Sequence, residues 1–212
     1  MSGIRELSKR ATMAVMAHRP LCRLLSWRVA RAGKQIALTF DDGPRPTFTP
    51  RVLDILAEHG IRATFFVLGA QVEKFPALLQ RTLAAGHEVG VHGYDHSLVE
   101  LPHQMERTVR IVRELGGRPL TLRPPGGRLS PGILRWSVLN RMPLILWSFD
   151  VEDSRRHDGR VLGRRAFTEV TAGDIVLMHD DNPVCVAELP DLLQTIKEKA
   201  LEPARVSDLL RA

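Results

Sequence analysis

From residue 36 onward, short and largely apolar runs alternate with helical stretches, and this alternation restricts the fold more than any other feature of the chain. Residues 36–40, 63–68, 88–91, 120–122, 144–148 and 174–178 read as buried strands. Thr49-Pro50 offers an N-cap and a first-turn proline for a helix over 50–59, which Gly60 ends. Further helices are expected over 76–85, 103–115, 131–140, 160–171 and 187–200. Repeated β-α units favour parallel strands with right-handed crossovers. The pattern by itself admits both a barrel and an open doubly wound sheet.

Charged or imidazole residues fall at the ends of successive strands: Asp41 and Asp42, His92, Arg123, Asp150 or Asp153, and His179. In a barrel all these ends meet on one face. Side chains alternate along a strand, so the neighbours Asp41 and Asp42 can do two different jobs. His92-Gly93-Tyr94-Asp95-His96 spaces two imidazoles four apart, which in a helical turn lets both grip one ion. One carboxylate of the Asp41-Asp42 pair completes a two-nitrogen, one-oxygen set that suits zinc with a position left open. Asp95 is a candidate to orient a neighbouring ligand. The other carboxylate of the pair is then a natural base and His179 a natural acid. Arg123 can hold the base ionised, and Gly126-Gly127 permits close backbone approach to an oxyanion. Taken singly, each of these residues also serves as an ordinary turn, cap or surface group.

Together these stretches resemble the polysaccharide deacetylase family, the NodB-homology or carbohydrate esterase family 4 domain. The resemblance covers roughly residues 36 to 210, with motifs in the family's order. Thr39-Phe40-Asp41-Asp42-Gly43-Pro44 is similar to the first motif, which implies Asp41 as base and Asp42 as metal ligand. His92 and His96 match the two metal histidines. Arg123-Pro124-Pro125-Gly126 matches the third motif, whose arginine steadies the base and whose last residue offers a backbone N–H. Leu177-Met178-His179 matches the fifth, with His179 as acid and Leu177 lining the acyl pocket. There are three departures. Gly93 stands where the family has Ser or Thr, and Gly126 where it often has Tyr. The Asp-Trp pair of the fourth motif becomes Asp153-Ser154, unless Asp150 is the counterpart; Arg62 is a further candidate to support the tether of His179. The family implies a distorted (β/α) barrel with fewer than eight regular strands, a divalent metal, usually zinc, and hydrolysis of an N-acyl group on a sugar.

The 212 residues suit one catalytic domain over 36–212, preceded by a basic segment over 1–35. That segment holds Arg5, Lys9, Arg10, Arg19, Arg23, Arg28, Arg31 and Lys34 against Glu6, and it accounts for the formal net charge of +6. Ile4, Leu7, Ala11, Ala14 and Val15 recur at helical spacing, so the segment can form a basic amphipathic helix that touches an anionic membrane or packs on the domain. Aromatic residues are 5% and do not interleave with the basic ones, which argues against a nucleic-acid partner. No signal-peptide pattern or spanning run is evident, and Cys22 and Cys185 have no metal-ligand spacing. The expected location is cytoplasmic or peripheral to the inner membrane face. The first functional expectation is a zinc-dependent deacetylase of an N-acetylated amino sugar in a glycan or oligosaccharide. The alternatives are a deacylase or deformylase of a lipid-linked amino sugar, and a non-catalytic glycan-binding protein on the same scaffold.

Overall fold

The computed structural model describes residues 24–156, 160–161 and 163–211. The helix expected near the N-terminus and Cys22 lie outside these residues; Cys185 is a buried free thiol. In chain order the strands are β1 (Leu25–Ser26), β2 (Gln35–Asp41), β3 (Thr64–Val67), β4 (Glu88–Val91), β5 (Leu144–Ile145), β6 (Phe149–Asp150), β7 (Ile175–His179) and β8 (Glu202–Ala204). The helices are α1 (Thr49–Glu58), α2 (Gly69–Lys74), α3 (Pro76–Ala84), α4 (Leu101–Glu114), α5 (Pro131–Asn140), α6 (Pro183–Glu198) and α7 (Val206–Leu209).

The strands form a distorted barrel. β2 lies between β7 and β3, β3 pairs with β4, and β6 pairs with β7, all in parallel. From β4 the ring continues through Leu122, which bridges Val91 on one side and Leu144 on the other. It closes because one segment serves two edges: β5 stands beside Leu122, and β6, a few residues on, reaches β7. The short strands act as wedges. β8 pairs with the start of β2 on the side that β3 takes further along. β1 flanks β5 on the side away from Leu122. Residues 24–34, assigned by the sequence to the basic segment, thus contribute β1 to the barrel edge.

The continuous strand expected over 144–148 is broken into β5 and β6 for a visible reason. The carbonyls of Ile145 and Leu146 accept hydrogen bonds from the Arg123 guanidinium, at 3.1 Å each, rather than from a neighbouring strand. Of the strand expected over 120–122, only Leu122 makes bridges. Among its described residues, the stretch expected as a helix over 160–171 holds a single 3-10 turn at Arg164–Phe167. Gly163, at φ +67°, leaves the helical region just before that turn, and past it the Lys199 ammonium binds the carbonyls of Thr168 and Val170. Thr49 is not the cap of α1. Phe48 holds that position, and the Thr49 hydroxyl accepts the Arg45 N–H and donates to Asp180.

The main core packs α1 and α6 against β2, β3 and β7. Leu38 and Phe40 of β2, Val52 and Leu56 of α1, and Leu189, Leu192 and Ile196 of α6 are buried in it. Phe40 stacks on Phe65 with centroids 4.9 Å apart, one residue before Asp41. Phe40→Ala should therefore cost about 3–5 kcal/mol of stability, the usual range for a buried aromatic truncated to alanine. Urea unfolding measures this, and a loss below about 1 kcal/mol would show that the core under Asp41 can collapse around the gap.

Candidate functional site

Of the strand-end residues singled out above, Asp41, Asp42, His92, Asp150 and His179 line one cavity of about 320 Å³ at the C-terminal end of the barrel, and Arg123 and Asp153 stand behind it, bonded to Asp41 and His179. Its lining includes Asp41, Asp42, His92, His96, Gly126, Leu177 and His179, together with Trp147, Asp150, Ser154 and Arg155. Asp41 and Asp42 face the same cavity, although neighbours on a strand point apart. The reason is that Asp42 has left the strand: its φ of +73° is left-handed and swings its carboxylate back beside Asp41. The next peptide, Gly43-Pro44, is cis.

The two carboxylates have different partners. Asp41 Oδ1 accepts from Arg123 Nη1 at 2.7 Å, and both side chains are buried. The same guanidinium donates to Thr39 Oγ1 at 2.9 Å and lies over the Phe66 ring at 4.2 Å. Burial raises the Asp41 pKa above the ordinary carboxylate value, while the Arg123 charge and hydrogen bond pull it down. Asp42 Oδ1 is buried and has no hydrogen-bond partner among the described residues. It lies 3.6 Å from His92 Nε2 and 3.7 Å from His96 Nε2. Two ligands on a tetrahedral ion with bonds of about 2.1 Å stand about 3.4 Å apart, so the orphaned oxygen and the two nitrogens fit a divalent metal.

The histidine pair is not on a helix. Gly93 and His96 have φ of +90° and +69°, and the tight loop they make brings the imidazole centroids to 5.3 Å. Gly93 suits that conformation where a serine or threonine would be strained. Its carbonyl also accepts from Gly69 N and Thr108 Oγ1. His92 Nδ1 lies 2.8 Å from the Arg123 carbonyl, which as acceptor fixes the N–H there and leaves Nε2 its lone pair. Burial lowers the His92 pKa to about 4, so the ring is neutral and able to ligate. Asp95 does not orient a histidine; it accepts the Ser97 N–H and shapes the loop.

The alternative between Asp150 and Asp153 is resolved by position. His179 Nδ1 lies 2.8 Å from Asp153 Oδ1, and Asp153 Oδ2 accepts the His179 backbone N–H at 2.7 Å. Asp150 instead accepts the Glu152 N–H and pairs with Arg155. Burial alone would lower the His179 pKa, but the hydrogen bond and charge of Asp153, with Asp41 and Asp42, outweigh it and push it up to about 9. Arg62 does not support this tether. It is exposed and lies against Gly86, near His87 in the turn that precedes β4.

Sequence reasoning missed three residues here. Trp147 lines the cavity and sits over Gly127, where an added Cβ would come within 3.0 Å of its ring. Asn182 caps α6 and donates to the His179 carbonyl at 3.1 Å. Asp180 is buried beneath the Asp42-Gly43 turn, and burial raises its pKa to about 7. For Asn182 a signal was present, an Asn-Pro step opening a helix. For Asp180 and Trp147 only the fold shows what they touch.

The sequence matches the model of the polysaccharide deacetylase family over residues 28–144. It is 38% identical over 187 residues to the peptidoglycan-N-acetylglucosamine deacetylase PgdA of Listeria monocytogenes, a match covering 85% of this chain and 40% of that protein. The chain thus spans about two-fifths of the length of that relative. Among solved structures, the Bc1960 peptidoglycan N-acetylglucosamine deacetylase superposes with a TM-score of 0.80 at 28% identity, over 89% of this chain and 94% of that one. BA3943 of Bacillus anthracis, a CE4 family pseudoenzyme, also superposes with a TM-score of 0.80, at 26% identity over 88% and 68% of the two chains.

Two outcomes follow from the geometry. A Cβ on Gly43 would lie 2.4 Å from both Asp180 carboxylate oxygens. Gly43→Ala should cost about 1–3 kcal/mol as an overpacking change, and adding Asp180→Ser should recover part of that loss in a double-mutant cycle. Because folding raises the His179 pKa from 6.5 to about 9, its charged pairing stabilises the fold fully below pH 6.5 and is lost as pH rises through 9. The stability gap between the parent and His179→Gln should therefore shrink over that window in thermal melts; a gap that stays constant would mean the folded imidazole carries no charge.

Proposed function

The chain belongs to the polysaccharide deacetylase family, and on that premise we propose that it is a metal-dependent hydrolase that removes the N-acetyl group from an amino sugar in a glycan. The observation that carries this reading is the division of labour between two adjacent carboxylates: Arg123 claims Asp41, while Asp42 keeps an unpartnered oxygen beside two imidazoles. The pseudoenzyme with the same fold shows why that observation is needed, since architecture alone does not bring activity.

In this reading Asp42, His92 and His96 hold the ion, and zinc is the metal best suited to two imidazoles and one carboxylate. When bound, a divalent ion supplies Lewis-acid polarisation of the acyl carbonyl and lowers the pKa of water. Asp41 presents Oδ2, the oxygen Arg123 leaves free, on the side of His92 and takes the proton of the attacking water. Its buried setting makes it more basic than an exposed aspartate, and Arg123 keeps it ionised. His179, held by Asp153 through Nδ1, turns Nε2 toward the cavity and gives its proton to the sugar nitrogen as the C–N bond breaks. A histidine with a pKa near 9 is protonated at neutral pH, as an acid must be. The Gly126 backbone lines the cavity and is the candidate oxyanion donor, and Leu177 is an apolar wall for the acyl methyl. Ser154, where the resemblance implies a tryptophan, lines that side of the cavity with a small side chain. Several relatives are named for peptidoglycan and chitooligosaccharide substrates, which points to β-linked N-acetylglucosamine polymers as the first panel to try.

The experiment is acetate release by zinc-loaded protein from chitooligosaccharides, peptidoglycan fragments and lipid-linked amino sugars. Release from the soluble glycans is expected. Asp41→Asn should lower the rate by roughly a hundredfold to ten-thousandfold, the usual worth of a general base. Chelation should abolish it and added zinc restore it. Release from lipid-linked sugars alone would replace the polymer by a membrane substrate. Metal binding without release from any of them would leave a binding protein.

A further inference from the structure

We propose that the end of the barrel opposite the catalytic cavity docks on an anionic lipid surface. From residue 115 to residue 149 the chain contains no acidic residue. Within that stretch Arg118, Arg135 and Arg141 are exposed and make no ion pair with the described residues. The large apolar side chains Leu120, Val138 and Leu139 are also exposed, at 40%, 53% and 70%.

Topology gathers these six residues at one end. Leu122 is level with Leu144 in parallel register, so Leu120 is level with Met142 and next to the end of α5. Arg135 and Leu139 share one helical face four residues apart, and Arg141 follows at the C-cap. Both segments are entering the barrel here, so the patch lies at the N-terminal ends of the strands. The catalytic residues lie at the C-terminal ends. Leu24 is also at this end, its carbonyl accepting the Leu144 N–H at 2.7 Å. The sequence before it carries Arg5, Lys9, Arg10, Arg19 and Arg23 against Glu6.

A bilayer with anionic headgroups takes both parts of this surface, the guanidinium groups among its headgroups and the aliphatic side chains at its acyl boundary. A second copy of the chain fits less well, since a two-fold interface would set arginine against arginine. Docking in this way points the catalytic cavity away from the lipid. The consequence rests on the proposed deacetylation: the substrate is a glycan approaching from the side opposite the bilayer, not a headgroup sugar of that same bilayer.

The test is sedimentation of the full chain with vesicles of phosphatidylcholine, with and without phosphatidylglycerol, at low and high salt. Binding only to the anionic vesicles, weakened by salt, is expected. Each basic residue at such a surface is worth roughly fivefold in partition, so the full-chain variant Arg135→Glu/Leu139→Ser/Arg141→Glu should bind at least about tenfold more weakly. Its melting temperature should not change, because all three side chains are exposed. Undiminished vesicle binding by the variant would overturn the proposal and leave residues 1–23 as the anchor. So would equal binding to neutral vesicles, or a parent dimer in analytical ultracentrifugation that the variant dissolves.

Discussion

One buried cation holds this molecule together at its working end. Arg123 is fully buried, and its guanidinium is shared among Asp41, Thr39 and the carbonyls of Ile145 and Leu146. A charge so placed is tolerable only because its donors are satisfied; removing one member of such a pair costs roughly 3–5 kcal/mol. The arrangement ties three parts of the ring. Arg123 follows the Leu122 bridge, Asp41 ends β2, and the two carbonyls belong to the segment that closes the barrel. The break between β5 and β6 is the geometric cost of that closure. Its benefit is that Asp41 is held from behind, with one oxygen left for chemistry.

The other half of the site depends on a loop rather than a strand. Asp153 sits in a 3-10 turn after β6, and what pins that turn is Arg156. Its guanidinium grips the buried Glu188 of α6 at 2.5 and 2.6 Å and also takes the carbonyl of Val151. Helix α6 therefore supports His179 twice, through Asn182 at its start and through Glu188 nearly two turns on. His179 is as firmly held as Asp41, although its support is built from irregular chain.

Much of this was legible in the residue pattern. The strands around β2, β3, β4 and β7 stood out because both faces are buried, which writes near-continuous apolar runs into the sequence. Their polar ends named the charged and imidazole groups Asp41, Asp42, His92 and His179 of the cavity lining. The pattern did not reveal strands too short to show a period, such as β1 and β8. It also misjudged places where one long side chain consumes backbone acceptors. Arg123 splits a strand by contacts far away in sequence, and Lys199 binds the carbonyls of Thr168 and Val170 in a stretch read as helical. The helical geometry assumed for His92 and His96 failed for a related reason. Their spacing suited a helix, but Gly93 and a left-handed His96 close the same distance with a tighter loop. Asp180 carried no sequence signal, because its importance lies in what rests on it.

The left-handed backbone at Asp42 has a consequence for how such a protein changes over time. Aspartate and asparagine are among the few residues that accept this conformation readily. Replacing Asp42 by asparagine would keep the turn, the cis peptide after it and the shape of the cavity, while discarding the negative charge. A lineage can therefore lose chemistry at this position without passing through an unfolded ancestor. On such a fold, loss of the proposed chemistry is only one tolerated substitution away, and a scaffold that survives it is free to be kept for recognition alone.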